Sequence, residues 1–224
     1  MSKYLVKISF VLAVLLSAYS AFSQYNPDEK WGESIAKFAH QDSLDMPEPG
    51  GILFLGSSSF TIWKDVNDYF PRKNIVNRGF GGSQMSDVLH FKEKLILPYQ
   101  PNQIVVYVGE NDLAAGEAPE SVFEEGKQLV SWAKEHFPEV EFVLLSAKSS
   151  PRRWELRDKM KDLNVMLAEF ASKNEGVEYA NIWQPMLGEN GKPKPEIFLE
   201  DSLHMNANGC KIWQKVLKPY LEDE

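Results

Sequence analysis

Short apolar runs and helical periodicities follow one another along this chain. Trp31, Ile35 and Phe38 recur at helical spacing and predict a helix over residues 28–40. Pro47, Pro49, Gly50 and Gly51 then break the chain. Beyond them Ile52–Leu55 is a compact apolar run and Ile75-Val76 a weaker one. QIVVYVG (103–109), VEFVLLSA (140–147) and the half-buried pattern VEYANIW (177–183) complete five strand-like segments. Between them, residues 83–96 place Met85, Val88, Leu89 and Ile96 on a helical period. Residues 119–136 turn Val122, Phe123, Leu129, Val130 and Ala133 to one face, with Pro119 in the first turn. Residues 153–173 do the same with Leu156, Met160, Leu163, Leu167 and Phe170, and residues 207–221 with Ile212, Trp213, Val216, Leu217 and Tyr220. Strands alternating with helices predict right-handed βαβ units, hence an α/β fold with a parallel sheet covered on both faces.

The first 23 residues depart from this pattern. Lys3 and Lys7 precede an almost uncharged stretch, Ile8 to Phe22, shorter than the roughly 20 residues a membrane span needs. Ala21-Phe22-Ser23 puts small residues at the first and third places of a cleavage site. The expectation is a secretory signal over residues 1–23 and one domain over residues 24–224, with an uncleaved anchor as the alternative. Loss of Lys3 and Lys7 would take the net charge from −8 to −10. An acidic chain without a basic stripe argues against nucleic acid or an anionic membrane surface as partner. Cys210 is the only cysteine, so neither an internal disulfide nor a thiolate metal site is available. Export without disulfides fits a bacterial envelope protein, periplasmic or secreted, with no stable membrane insertion after cleavage.

The polar clusters carry the functional signal. GSSS follows the first strand, NRGFGGS the second, GENDLA the third and AKSSPRR the fourth, while EDSLHMNANG precedes the last helix. In an open parallel sheet ligands bind beyond the carboxyl ends of the strands, so this fold brings all five clusters to one rim. A serine hydroxyl is a weak nucleophile unless a base removes its proton. Phe60 stands where a G-x-S-x-G elbow would need glycine, so that motif is not matched. Of the four histidines, His40, His90 and His136 fall in or at the ends of helices and read as solvated or packing residues. His204 lies three residues after Asp201 in a loop, a spacing that lets the carboxylate fold back onto the imidazole. That contact would either orient a catalytic base or steady the turn. Gly79, Gly81 and Gly82 let backbone N–H groups face a ligand, or form an ordinary turn. The Asn111 amide offers a further donor, or Asn111-Asp112 caps a helix.

Taken in order, FLGSSS, NRGFGGS, GEND and DSLH resemble the four blocks of the SGNH (GDSL-like) hydrolases, a family of lipases, esterases and carbohydrate deacetylases. The resemblance spans residues 51–209. It implies a flavodoxin-like three-layer α/β/α sandwich on a five-stranded parallel sheet, with no metal and no cofactor. It implies Ser58 as nucleophile, His204 as base oriented by Asp201, and an oxyanion hole of the Ser58 N–H, the Gly82 N–H and the Asn111 side chain. Two positions depart from the pattern. Ser57 replaces the usual aspartate, which leaves Ser59 as an alternative nucleophile. Glu110 stands where many members carry a small or neutral residue. A carboxylate there would oppose a developing oxyanion, so it is expected to point away.

The loop Gln184–Glu200 leads into the Asp201–His204 block and reads as a wall or lid, or as a plain surface excursion. Trp63, Trp154, Arg152 and Arg153 either line a sugar or head-group site or belong to core and surface. No exposed amphipathic helix suits a lipid surface. The expected activity is hydrolysis of short acyl esters, such as acetyl groups on glycans or other small esters, through an acyl-enzyme. The alternatives are a non-catalytic carbohydrate-binding protein on the same fold, and an O-acyltransferase using the same triad. A metal-dependent phosphoesterase would need several spaced His and Asp ligands, and only His204 is well placed.

Overall fold

The computed structural model describes residues 25–221, so the expected signal over residues 1–23 lies outside the described residues. Contacts divide the chain at Gly32. In the described part of the first unit the Trp31 indole N–H donates to the Tyr25 hydroxyl at 3.2 Å. The second unit, Glu33–Glu224, carries the sheet. Helix α1 (Pro27–Leu44) extends the predicted helix by about one turn at its C-terminal end.

Five strands form one parallel sheet: β1 (Ile52–Gly56), β2 (Ile75–Gly79), β3 (Gln103–Tyr107), β4 (Glu141–Leu145) and β5 (Val177–Ala180). Their order is β2-β1-β3-β4-β5, so the chain reverses direction across the sheet between β1 and β3. Strands buried on both faces read as continuous apolar runs, which is why β1, β3 and β4 stand out in the sequence. On one face Ile52, Phe54, Val105, Tyr107, Val143 and Leu145 join a core with α2 (Ser58–Ile62), α3 (Val66–Tyr69) and α9 (Ala207–Leu217). Its centre is aromatic: Trp213 meets Tyr107 at 4.7 Å and Phe60 at 6.0 Å between ring centroids. On the other face Val106 and Leu144 pack with Val122, Leu129, Leu163 and Leu167 of α7 (Pro119–His136) and α8 (Arg157–Lys173). The result is the expected three-layer α/β/α sandwich. Among the described residues no helix is long and apolar enough to cross a membrane.

Three expectations change in detail. Residues 83–96 form two helices, α4 (Met85–His90) and α5 (Lys92–Ile96), because Phe91 leaves helical geometry while its buried ring packs edge-on to Phe80. The helix expected from residue 153 begins at Arg157; a tight helical turn, Pro151–Leu156, precedes it and bends at Arg153. Asn111 and Asp112 are not caps: they lie inside helix α6 (Glu110–Ala115), which Gly109 precedes as the N-terminal flanking residue.

Gly56 ends β1 level with Gly79 of β2 and Tyr107 of β3. A Cβ built there would lie 2.1 Å from the Tyr107 carbonyl oxygen, a distance no side chain can occupy. Close approach of two backbones thus fixes glycine directly before the serine cluster. Gly56→Ala is expected to cost about 3 kcal/mol or more of unfolding free energy, since overlap and backbone strain add. Urea denaturation of the variant beside the wild type checks this.

Candidate active site

The serines leave β1 on a sharp turn. Ser57 is buried, and its carbonyl accepts the Phe60 and Thr61 N–H groups, each at 3.1 Å, and the Thr61 hydroxyl at 3.2 Å. Ser59 is buried too, and its hydroxyl has no partner among the described residues. Ser58 alone of the three is partly exposed, and its Oγ lies 2.9 Å from His204 Nε2. On the far side of the ring, His204 Nδ1 lies 2.5 Å from Asp201 Oδ2. Asp201 Oδ1 accepts the Leu203 and His204 N–H groups, each at 2.9 Å, so backbone and ring hold one carboxylate together. Burial works to raise the Asp201 pKa. The hydrogen bonds from the His204 ring and these two N–H groups outweigh it and bring the pKa down to about 2. An ionised carboxylate on Nδ1 selects the tautomer whose Nε2 accepts, as removal of a proton from Ser58 requires.

The Asp201–His204 turn is held by backbone hydrogen bonds from two sides. Leu199 N–H donates to the His204 carbonyl at 2.8 Å, Arg152 N–H donates to the Ser202 carbonyl at 3.1 Å, and Ser202 sits at φ +59. Asn206 caps α9 through the Asn208 and Gly209 N–H groups while its amide donates to the Glu196 and Phe198 carbonyls. The Gln184–Glu200 loop is therefore no free lid. Met186, Ile197 and Phe198 are core residues, and they root the loop beneath the histidine.

At the end of β2, Gly82 has φ +84, a conformation that favours glycine. At the end of β3, the Asn111 amide is fixed at both ends. Its Nδ2 donates to the Ser83 carbonyl at 2.9 Å, and its Oδ1 accepts from Arg153 at 2.9 Å. One N–H of the Asn111 amide remains for a ligand. Arg153 also lies 3.5 Å from Glu110. The Glu110 carboxylate is buried, pairs with the buried Lys148 ammonium, and accepts the Tyr107 hydroxyl at 2.7 Å. Burial would raise the Glu110 pKa, but Lys148 and Arg153 outweigh it and hold it below the ordinary range. The carboxylate is thus turned into the protein and neutralised there.

Sequence reasoning singled out Ser58, His204, Asp201, Gly82 and Asn111; the structure joins Ser58, His204 and Asp201 by hydrogen bonds, and what holds Asn111 lay outside that reading. Lys148 read as part of a polar loop, Arg153 as the start of a helix and a candidate for a sugar or head-group site, and Tyr107 as an ordinary strand residue; no local signal showed that they converge on Glu110. Trp63 is core, 1% exposed, and leaves the candidate sugar site; Trp154 stacks on Trp183 at 5.9 Å. Cys210 is buried, which pushes its thiol up to about 11.

The model of the GDSL-like Lipase/Acylhydrolase family matches residues 55–212. The chain belongs to that family, and with it to the carboxylic ester hydrolases. Among solved structures, a protein from Streptococcus pneumoniae provisionally named a platelet activating factor is 23% identical, with a TM-score of 0.77 over 95% of this chain and 99% of that one. A GDSL-like lipase from Bacteroides thetaiotaomicron is 22% identical, with a TM-score of 0.71 over 83% and 96%. A catalytic mutant of an acetylxylan esterase from Geobacillus stearothermophilus is 13% identical, with a TM-score of 0.63 over 79% and 96%. These likenesses show a shared fold. No curated protein matches the sequence.

Asp112, beside Asn111, is fully buried; its Oδ1 accepts the Met85 N–H at 2.7 Å and so ties α6 to α4. Its Oδ2 has no partner among the described residues, and Glu117 and Glu125 approach it. Burial raises its pKa from the ordinary 3.8 to about 7, against the pull of the Met85 N–H and with help from the two glutamates. A raised acid pKa means the fold prefers the protonated form, so the ionised group erodes stability as pH climbs from about 4 to about 7. Asp112→Asn is expected to gain stability on the wild type above pH 7 and to lose that advantage near pH 4. Urea midpoints across the range check the sign.

Proposed function

We propose that the chain hydrolyses short acyl esters through a covalent acyl-enzyme on Ser58. The observation that carries this reading is the unbroken series Ser58 Oγ, His204, Asp201, at 2.9 and 2.5 Å, joining loops 146 residues apart. His204 Nε2 takes the hydroxyl proton as Oγ attacks the ester carbonyl carbon. The tetrahedral oxyanion is met by the Ser58 N–H, the Gly82 N–H and the free Asn111 N–H. Collapse expels the alcohol, which takes the proton from His204. A water then repeats the sequence on the acyl-enzyme and releases the acid. No step draws on a metal or cofactor.

Arg153 supports the oxyanion hole through Asn111. A guanidinium donating to the amide oxygen polarises the amide and strengthens its remaining N–H as a donor. Glu110 would otherwise oppose the oxyanion; Lys148 and Arg153 cancel its charge. The named activity of the acetylxylan esterase neighbour supports acetyl as the acyl group and a glycan as the alcohol. The same reading takes residues 1–23 as an export signal.

Ser58→Ala and His204→Ala are each expected to lower acetyl-ester hydrolysis by about 10^4-fold or more in folded protein. A fluorophosphonate probe followed by peptide mass mapping should label Ser58 in the wild type. Label on Ser59, or full activity in Ser58→Ala, would overturn the assignment. Product analysis with a sugar acceptor separates hydrolysis from acyl transfer. Arg153→Met is expected to lower kcat about 10- to 100-fold, in line with one charged hydrogen bond, while KM moves little.

A further inference from the structure

A groove of about 490 Å³ opens beside the serine turn, within the range of small-ligand sites. One wall is α1, with Ser34, Lys37, Phe38 and Gln41; the other is Thr61, Lys64 and the backbone of Gly79–Gly81. A Cβ built on Gly81 would lie 3.9 Å from the Ser58 Cβ and 3.8 Å from Thr61 Oγ1. Gly81, at the groove's edge, therefore lies within side-chain contact distance of Ser58.

The hydrogen bonding of the lining is lopsided. Asn77 is consumed internally: its amide donates to the Phe60 and Trp63 carbonyls at 2.8 and 3.2 Å and accepts the Gly79 N–H at 3.0 Å. The Thr61 hydroxyl donates to the Ser57 carbonyl. Among the described residues, the side chains of Ser34, Lys37, Gln41 and Lys64 make no hydrogen bond or ion pair. Both lysines are exposed toward water, and no acidic residue lines the groove. Two unpaired cations facing one groove, on a chain of net charge −8, make a local positive field on an acidic molecule. Phe38 supplies an apolar wall against which a ring can lie.

We infer that this groove receives the alcohol part of the ester and that this part carries an anionic group, a carboxylate or a phosphate, met by Lys37 and Lys64. The inference rests on Ser58 being the nucleophile, since the groove gains its meaning from Gly81 and Thr61, which line it next to that serine. The chemistry of the bond broken is unchanged; the lysines choose which alcohol is presented.

The test compares monoacetylated methyl glucoside, the methyl glycoside of glucuronic acid with its carboxylate free, and glucose 6-phosphate on the full chain. A wild-type kcat/KM about 10-fold higher for one or both anionic esters than for the neutral one is expected, from two partly exposed charge contacts. The uronate and phosphate arms separate the two anions. The preference should shrink as salt rises, and in the Lys37→Gln, Lys64→Gln double variant the ratio should fall to about 1. Equal kcat/KM on all three esters, or a preference that survives the double variant, would overturn the inference. Equilibrium binding of the deacetylated glucuronate, sugar phosphate and glucoside to Ser58→Ala keeps the groove testable apart from turnover. Selective binding of an anion there, lost with the two lysines, supports the groove even if Ser58 fails to label; indifferent binding overturns it even if Ser58 labels.

Discussion

The level ending of β1, β2 and β3 is the constraint from which the site follows. Gly56, Gly79 and Tyr107 share one register, and Gly56 approaches the Tyr107 carbonyl too closely for any side chain. Three loops therefore leave the sheet at one height, carrying Ser58, Gly82 and Asn111. The switch point between β1 and β3 leaves room above them, as open parallel sheets do. A slip of one residue in a parallel strand would reverse its buried faces, so the same packing that stabilises the sheet also aligns the loops.

Beneath Asn111 lies a second constraint, made of charge. Glu110 and Lys148 are both buried and paired, with Tyr107 and Arg153 completing the carboxylate's partners. Such pairs add little net stability, because desolvation offsets attraction, but removing one member leaves a buried charge uncompensated. Their value here is positional. The network holds Arg153, Arg153 holds the Asn111 oxygen, and the amide is left with one orientation. A glutamate that looked unfavourable in the sequence becomes the base of this arrangement once its cations are in view.

The histidine is placed differently, by backbone. Its loop is anchored by the Leu199 and Arg152 N–H groups, by Asn206 below and by the buried Ile197 and Phe198. The tight turn Pro151–Leu156 thus serves two loops at once: the Arg152 backbone meets the histidine turn while the Arg153 side chain meets Asn111. The histidine turn and Asn111 therefore share one mechanical support.

Much of this was legible in the sequence, for stated reasons. Strands β1, β3 and β4 and helix α7 announce themselves because doubly buried strands are uniformly apolar and an amphipathic helix keeps its period; α7 falls on residues 119–136 as read. Strand β2 is faint because Asn77 and Arg78 interrupt it, and both are tolerated only through distant partners: Arg78 pairs with Asp42 and donates to the Tyr99 hydroxyl. The Ser58, Gly82, Asn111 and Asp201–His204 blocks were visible because short-range spacing encodes them. The roles of Lys148, Arg153 and Glu110 were not, because each depends on a partner about 40 residues away, and a polar loop looks the same whether its charges meet water or one another. Local pattern determined the elements and the candidate chemistry; only the tertiary structure decided which charges are buried together, and so which residues hold the site in place.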